Sequence, residues 1–246
     1  MIRLISAIMT IEIGIIQTHS ISSSSKMQRL FDIKKTQLEM VRDRGYTISP
    51  AEEPILGMSI SDFINYVGLL AKATPNVPLR SLLSRTYEAV LPDGAKKTIL
   101  VYYGGKTNLQ QKQVSADVAR EFISLIQKYG INEAVLIVDA PLSSTGENEL
   151  ARLKLTKWQI FFDQDLTYNP VRHVDTPPHE LLSPEAAELK LRELRVDRSK
   201  LLIIKIDDPV IRYYGWTSGG IVRVHRNDEA VSILSPKSIN YRVIVG

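Results

Sequence analysis

The stretch Asp208–Val224, DPVIRYYGWTSGGIVRV, decides the fold of the C-terminal part of the chain. A proline holds the residue before it in extended backbone, so Asp208 is placed to cap a short helical turn whose first residue is Pro209. Gly215 stands where that turn should end, because glycine readily takes the left-handed conformation of a helix C-terminus. After a second glycine turn, the β-branched run that begins at Ile221 predicts a strand.

Further elements are predicted on both sides of this stretch. Residues 201–206 form a short apolar run rich in β-branched residues, which is typical of a buried strand. The chain closes with YRVIV at 241–245, another predicted strand. Ser183 is predicted to cap a helix that starts at Pro184 and runs to about Arg195. Together these elements predict a small C-terminal α+β domain.

The same residues resemble one family of RNA polymerase subunits. The run DPVIRYYG, the glycine turn, the basic strand after it and the terminal YRVIV are similar to the assembly domain of the fifth-largest subunit. The eukaryotic nuclear polymerases share that subunit, and the archaeal polymerase has a counterpart of it. Asn169, His173, Pro177 and His179 fit the family's pattern just before that domain, and 29–46 resembles its first helix. The resemblance therefore covers about residues 27–246.

The resemblance implies a division of the chain into two domains with separate roles. Residues 27–168 would form a jaw domain with a restriction-endonuclease-like core, beside downstream duplex DNA that it contacts weakly and without sequence specificity. Residues 169–246 would form the assembly domain, which docks on the largest subunit and so joins the other polymerase subunits. Such a subunit has no catalytic site of its own. Its expected location is the nucleus, or the nucleolus if it is specific to polymerase I.

The resemblance also implies a set of partner-binding residues, all of them in the assembly domain. They are Asp208, Pro209, Arg212, Tyr213, Tyr214, Gly215, Arg226, Glu229, Tyr241 and Arg242.

Two departures from the family pattern bear on which polymerase the chain serves. Where the family usually has Leu-Pro-Arg-Ile before the Asp-Pro, this chain has Leu-Leu-Ile-Ile at 201–204. A Lys-Arg-Gly turn is replaced by Thr217, Ser218 and Gly219, which removes two positive charges. Since a shared subunit must fit several polymerases, these changes favour a specialised paralogue that serves one polymerase class.

The N-terminal half alternates helical and extended patterns, which predicts a mixed sheet flanked by helices in an α/β (α+β) fold. The predicted helices are 28–44, 59–72, 115–129 and 147–155. The predicted strands are 86–91, 98–103, 134–139 and 157–163, with a Pro-Asp-Gly turn at 92–94 between the first two. Residues 47–58 are predicted to be a loop.

Composition narrows the class of protein. The 246 residues carry a net charge of +4, which makes an acidic partner plausible, and contain no cysteine, which excludes disulfides and cysteine-ligated zinc. The apolar run Leu4–Ile16 is too short to span a bilayer, so no membrane partner is expected.

Residues 1–26 have three interpretations: a signal peptide interrupted by Glu12, an appended tail joined through serines, or a segment before a true start at Met27.

Motifs that suggest enzymes are incomplete. The run Gly104–Thr107 resembles a phosphate-binding loop, but the glycine required five residues before Gly105 is Leu100. A hairpin-end loop is the simpler interpretation. His173 and His179 lack the spacing of a helical zinc site, and we expect no metal and no cofactor.

A nuclease needs carboxylates clustered on neighbouring strands. Glu88 lies on the first predicted strand, but the second, 98–103, has no carboxylate. The sequence therefore predicts a protein without a catalytic site. The competing hypothesis is a free-standing nucleic-acid-binding module or a degenerate nuclease.

Overall fold

A computed structural model of the chain describes residues 25–105, 113–153, 157–226 and 238–246. Within these ranges the chain forms two units, one ending at Thr167 and the other beginning at Tyr168. Each unit is built on its own four-stranded sheet with helices packed against it.

The first unit pairs one antiparallel hairpin with two parallel strands. Its sheet has the order β1-β2-β3-β4, in which β1 is antiparallel to β2 and the other neighbours are parallel. The strands are β1 (Arg85–Val90), β2 (Lys96–Tyr103), β3 (Glu133–Val138) and β4 (Lys157–Phe162). The helices are α1 (25–43), α2 (Ile60–Ala73), α3 (Ala116–Tyr129) and α4 (Ser144–Ala151).

Helices cover both faces of this sheet. All six residues of β3 are buried, and alternate strand residues face opposite sides. Leu136 packs with Phe122 of α3 on one side. On the other side, the hydroxyl of Tyr103 donates to the Gln37 side chain of α1 at 3.3 Å. A mixed sheet flanked by helices is the fold class that the sequence predicts for this half, and it is confirmed.

The second unit surrounds a smaller sheet of order β5-β7-β8-β6. Strand β7 is antiparallel to both of its neighbours, whereas β6 runs parallel to β8 at the edge of the sheet. The elements are β5 (His179–Leu181), α5 (Pro184–Leu194), β6 (Leu202–Lys205), α6 (Pro209–Tyr214), β7 (Ile221–Arg226) and β8 (Ser238–Val245). Its core consists of Ile204, Ile211, Val222, Val224 and Ile244. This is the predicted α+β architecture.

Helix α5 begins at its predicted cap, whereas the start of α4 differs from the prediction. The Ser183 hydroxyl accepts from the Ala186 N–H at 3.2 Å, at the predicted start of α5. Helix α4 begins earlier than the predicted 147, because the Ser143 hydroxyl accepts from the Gly146 N–H and caps it there. Residues Glu53–Leu56, within a segment predicted as loop, form a turn of 3₁₀-helix.

The prediction of a buried strand at 201–206 is wrong in its burial. Strand β6 exists there, but Leu202 is 58% exposed and Ile203 is 61% exposed. The reason is sheet order, because β6 lies at the edge with β8 as its only neighbour among the described strands. A short apolar run does not reveal whether its strand is central or at an edge.

Candidate functional site

The short helix α6 is held at both ends by its own sequence. At its start, Asp208 Oδ1 accepts from the backbone N–H groups of Val210 at 2.9 Å and Ile211 at 3.4 Å. At its end, Gly215 takes a φ of 66°, and the Trp216 N–H donates to the Ile211 carbonyl at 3.1 Å. This bond belongs to the Schellman arrangement of a helix C-terminus. The helix is therefore rigid although it has only six residues.

Three aromatic side chains, those of Tyr213, Tyr214 and Trp216, pack in a row from the buried side of α6 towards the surface. Tyr213 is fully buried, and its hydroxyl accepts from Asn169 Nδ2 at 3.1 Å. Tyr214 meets Tyr213 edge-on at 5.3 Å between ring centroids and lies flat against Trp216 at 4.5 Å. Tyr214 and Trp216 are both half-buried. The buried tyrosine thus supports a stacked pair that presents part of its area to solvent.

The predicted docking residues do not all lie on one face. Arg242 of β8 has the same parity as Ile244, whose side chain packs with Ile211 of α6, so Arg242 lies on the α6 face of the sheet. Tyr241 points to the opposite face, where Lys190 of α5 lies 5.5 Å from its ring centroid. Among the predicted residues on α6, Pro209 is exposed, Asp208, Arg212 and Tyr214 are half-buried, and Tyr213 and Gly215 are buried. Arg226 ends β7, and Glu229 lies outside the described residues.

A groove of about 290 Å³ lies beside the first turn of α6. Its lining includes Tyr168, His173, Pro177, His179 and Pro209. Burial lowers the pKa of His179, and its Nδ1 lies 2.6 Å from the Pro177 carbonyl oxygen. The sequence pattern singled out both histidines and Pro177 but not the groove, because only the fold brings 168–179 against α6.

The first unit buries a lysine in a polar network that the sequence did not reveal. Lys34 of α1 has no exposed surface, and its Nζ lies 2.7 Å from Glu52 Oε1. It also donates to Gln37 Oε1 at 2.9 Å and to the Tyr87 hydroxyl at 3.2 Å. Burial lowers the pKa of Lys34 to about 8, although Glu52 opposes the shift.

Two further carboxylates of the first unit are neutralised by cations. Arg80 forms a two-pronged pair with Asp163, with both distances at 2.7 Å. Glu133 lies 2.5 Å from Arg44 and 2.8 Å from Lys97. Burial alone would raise the pKa of Glu133, but Arg44 and Lys97 hold it below its usual value. Removing Arg80 would leave the Asp163 carboxylate buried without a partner, and both carboxylates are committed to ion pairs within the fold.

The structure describes part of the surroundings of the enzyme-like motifs. Glu88 is exposed and lies 3.6 Å from Lys96. In the described ranges, no group of three or more His, Cys, Asp or Glu side chains is close enough together to hold a metal ion. Gly104 comes directly after β2, the second strand of the β1–β2 hairpin, at the place predicted for a loop at the end of that hairpin. Lys106 and Thr107 of the same motif lie outside the described residues.

None of the helices in the described ranges has both the length and the apolar character needed to cross a membrane.

The two units correspond to two known domains. Residues 24–121 match the domain described as "RNA polymerase Rpb5, N-terminal domain", and 168–244 match "RNA polymerase Rpb5, C-terminal domain". The second match begins where the second unit begins. The chain belongs to the Rpb5 family. Together the matches cover more than two thirds of the chain.

Relatives resemble the chain over nearly its full length. The DNA-directed RNA polymerases IV and V subunit 5B of Arabidopsis thaliana is 26% identical over 231 residues, which cover 94% of this chain and 96% of the relative. The DNA-directed RNA polymerases I, II, and III subunit rpabc1 of Dictyostelium discoideum is 26% identical over 225 residues, covering 89% of this chain and 98% of the relative. At this identity the chain is a divergent paralogue within the Rpb5 family.

Proposed function

We propose that this Rpb5-family chain is a non-catalytic subunit of a nuclear DNA-directed RNA polymerase. The observation that carries the proposal is the match of both units, in order, to the two Rpb5 domains. A relative such as the Dictyostelium discoideum protein, named as a polymerase subunit, aligns over 98% of its own length. The alignment spans both units, so the chain retains both of the domains that Rpb5 proteins have.

The second unit docks on the largest subunit through the surface that α6 and Trp216 form on the outside of the unit. Support comes from the residue types at α6, where the half-buried Arg212 and the half-buried stacked pair Tyr214 and Trp216 lie on or directly after a helix capped at both ends. Aromatic and arginine side chains are enriched among the residues that dominate binding energy. Because α6 is already rigid, docking loses little conformational entropy. Asp208, Pro209, Gly215 and the buried Tyr213 hold this surface in shape.

The first unit lies beside downstream duplex DNA and contacts it weakly through phosphates. The chain as a whole, counting both units, carries a net charge of +4, which suits weak sequence-independent contact of this kind.

The chain serves one polymerase class as a specialised paralogue. The relatives include one named for polymerases IV and V and another named for polymerases I, II and III. Members of this family thus differ in the polymerases for which they are named. The exposed β6 residues replace the family's usual Pro-Arg at this point, which changes a surface that a shared subunit would keep.

Purification of tagged protein in its native state, with identification of its partners by mass spectrometry, tests this function. We expect recovery of nuclear polymerase subunits from a single class in constant proportion. If the tagged protein is instead recovered without polymerase subunits and binds duplex DNA tightly by itself, the competing hypothesis of a free-standing nucleic-acid-binding module is correct. Cleavage of DNA by the pure protein with magnesium would favour a degenerate nuclease.

A further inference from the structure

The edge strand β6 of the second unit is an open apolar surface. Leu202 is 58% exposed and Ile203 is 61% exposed, on the two opposite faces of the strand. Val245, next to Lys205 in the paired strand β8, is 36% exposed. Natural sheets normally protect their edges with proline, with charged side chains along the strand, or with a covering loop. In β6 the only charged residue is Lys205 at its end.

The backbone of β6 also has hydrogen-bonding groups directed away from the sheet. The Ile206 N–H donates to the Val245 carbonyl at 2.8 Å, so Ile204, two residues earlier, faces β8 as well. The N–H and C=O of Ile203 and the N–H of Lys205 therefore point to the open side. No strand in the described ranges pairs with that side. These groups would be satisfied by an added strand.

The charged residues beside β6 indicate the composition of a strand that could pair with it. Lys200 precedes β6 and Lys205 ends it; both are exposed, and neither has an ion-pair partner within the described ranges. A matching segment therefore carries apolar residues at alternate positions and acidic residues beside them. Duplex DNA supplies negative charge, but it offers no apolar side chains for Leu202 and Ile203 and no backbone ladder. A second copy of β6 would present the same lysines and no acidic residue within the strand.

We propose that β6 receives an extended, acidic-flanked segment of a large polymerase subunit, which joins the sheet as a fifth strand. This inference rests on the proposed function and adds a second contact to the α6 face. Strand addition of this kind gains affinity from main-chain hydrogen bonds and specificity from alternate side chains. The contact uses residues that distinguish this chain, so it also selects the polymerase class that the chain joins.

Two substitutions at Ile203 separate the backbone and side-chain contributions. Ile203→Pro removes an outward N–H and leaves the β6–β8 bonds intact, since proline is tolerated on an edge strand with its nitrogen towards solvent. Ile203→Thr keeps the N–H and the β-branched shape but replaces the ethyl branch with a hydroxyl. Leu189→Gln is the matched control, because Leu189 of α5 is similarly exposed at 65%. Circular dichroism and thermal melting establish that each tagged full-length variant is folded.

Native purification from cells then measures the amount of polymerase large subunit recovered with each variant. We expect about a tenfold or greater loss for Ile203→Pro, a smaller loss for Ile203→Thr and no loss for Leu189→Gln. Replacing Lys205 with the photo-crosslinking residue p-benzoylphenylalanine should link the chain to an acidic, extended segment of that subunit. Equal recovery of a folded Ile203→Pro variant would overturn the inference, as would crosslinks only to a second copy or to nucleic acid.

The failure of the proposed function gives a different result. In that case the unmodified protein recovers no polymerase subunit, and the inference falls with it. Normal recovery by the unmodified protein together with normal recovery by Ile203→Pro leaves the function in place and removes the β6 contact alone.

Discussion

The two units use their polar residues in opposite ways. Every polar or charged residue that is buried in the described ranges belongs to the first unit: Lys34, Thr36, Gln37, Glu52, Arg80, Glu133 and Asp163. Among the residues of the second unit whose burial the structure describes, the arginines, lysines and acids lie at the surface or are half-buried, and the core at Ile204 and Ile211 is apolar. In the first unit, losing one partner of an internal ion pair would therefore leave an uncompensated buried charge. The second unit instead keeps its described charged side chains at or near the surface.

The largest expected effect comes from breaking a buried ion pair of the first unit. Arg80→Ala leaves the Asp163 carboxylate buried without its partner and should lower the free energy of unfolding by about 3–5 kcal/mol. Chemical denaturation measures the loss, and Arg80→Lys should be intermediate because it keeps the charge. Arg120→Ala is the control, since Arg120 lies 3.0 Å from Asp117 in an exposed pair whose loss costs at most about 1 kcal/mol. Similar losses for Arg80→Ala and Arg120→Ala would show that the buried Arg80–Asp163 pair matters no more to the stability of the first unit than an exposed pair does.

In the second unit the corresponding change should affect assembly instead of folding. Arg212→Glu is expected to weaken incorporation into the polymerase by about 2 kcal/mol or more, because arginine is enriched among the residues that dominate binding energy at interfaces. Incorporation is measured by competition with unmodified protein during native purification. Arg192→Glu makes the same change of charge on the exposed side of α5 and should incorporate normally. Normal incorporation of folded Arg212→Glu protein would remove α6 from the docking face.

The rigidity of α6 can be tested through its cap. Asp208→Ala removes the acceptor for the Val210 and Ile211 N–H groups and should lower the stability of the protein by about 1 kcal/mol. Asp207→Ala is the control, because this neighbouring residue carries the same charge without a capping bond. Thermal melting of the two variants should therefore differ. Equal melting temperatures would show that α6 is held by packing alone.

A change of pH should have a smaller effect, which acts on the free energy of unfolding through Lys34 of the first unit. The pKa of Lys34 is about 8 in the folded protein, below its usual 10.5, so between these values the unfolded chain binds more protons. Below pH 8 the burial of charged Lys34 lowers the free energy of unfolding by its full amount. This loss is relieved as the pH rises from about 8 towards 10.5. Unmodified protein should gain on the order of 1 kcal/mol between about pH 7 and 9, relative to the uncharged pair Lys34→Met with Glu52→Gln. A parallel pH dependence of the two proteins would contradict this assignment.

How well the sequence predicts a contact depends on how far apart along the chain the two contacting residues are. The cap at Asp208 and the stop at Gly215 involve neighbours two or three residues away, so the local pattern predicts them correctly. Arg80 and Asp163 are 83 residues apart, and Arg44 and Glu133 are 89 apart, so only the fold brings each pair together. The exposure of Ile203 depends on the sheet order, which the apolar run at 201–206 does not contain.

The central claim is that the second unit joins a polymerase while the first supplies a stable, non-catalytic body. The most direct test is the stoichiometry of tagged full-length protein in native complexes, measured by quantitative mass spectrometry against the largest subunit. The account predicts one copy of this chain for each largest subunit of a single polymerase class. Recovery of the protein alone, or with polymerase subunits in variable and substoichiometric amounts, would contradict it.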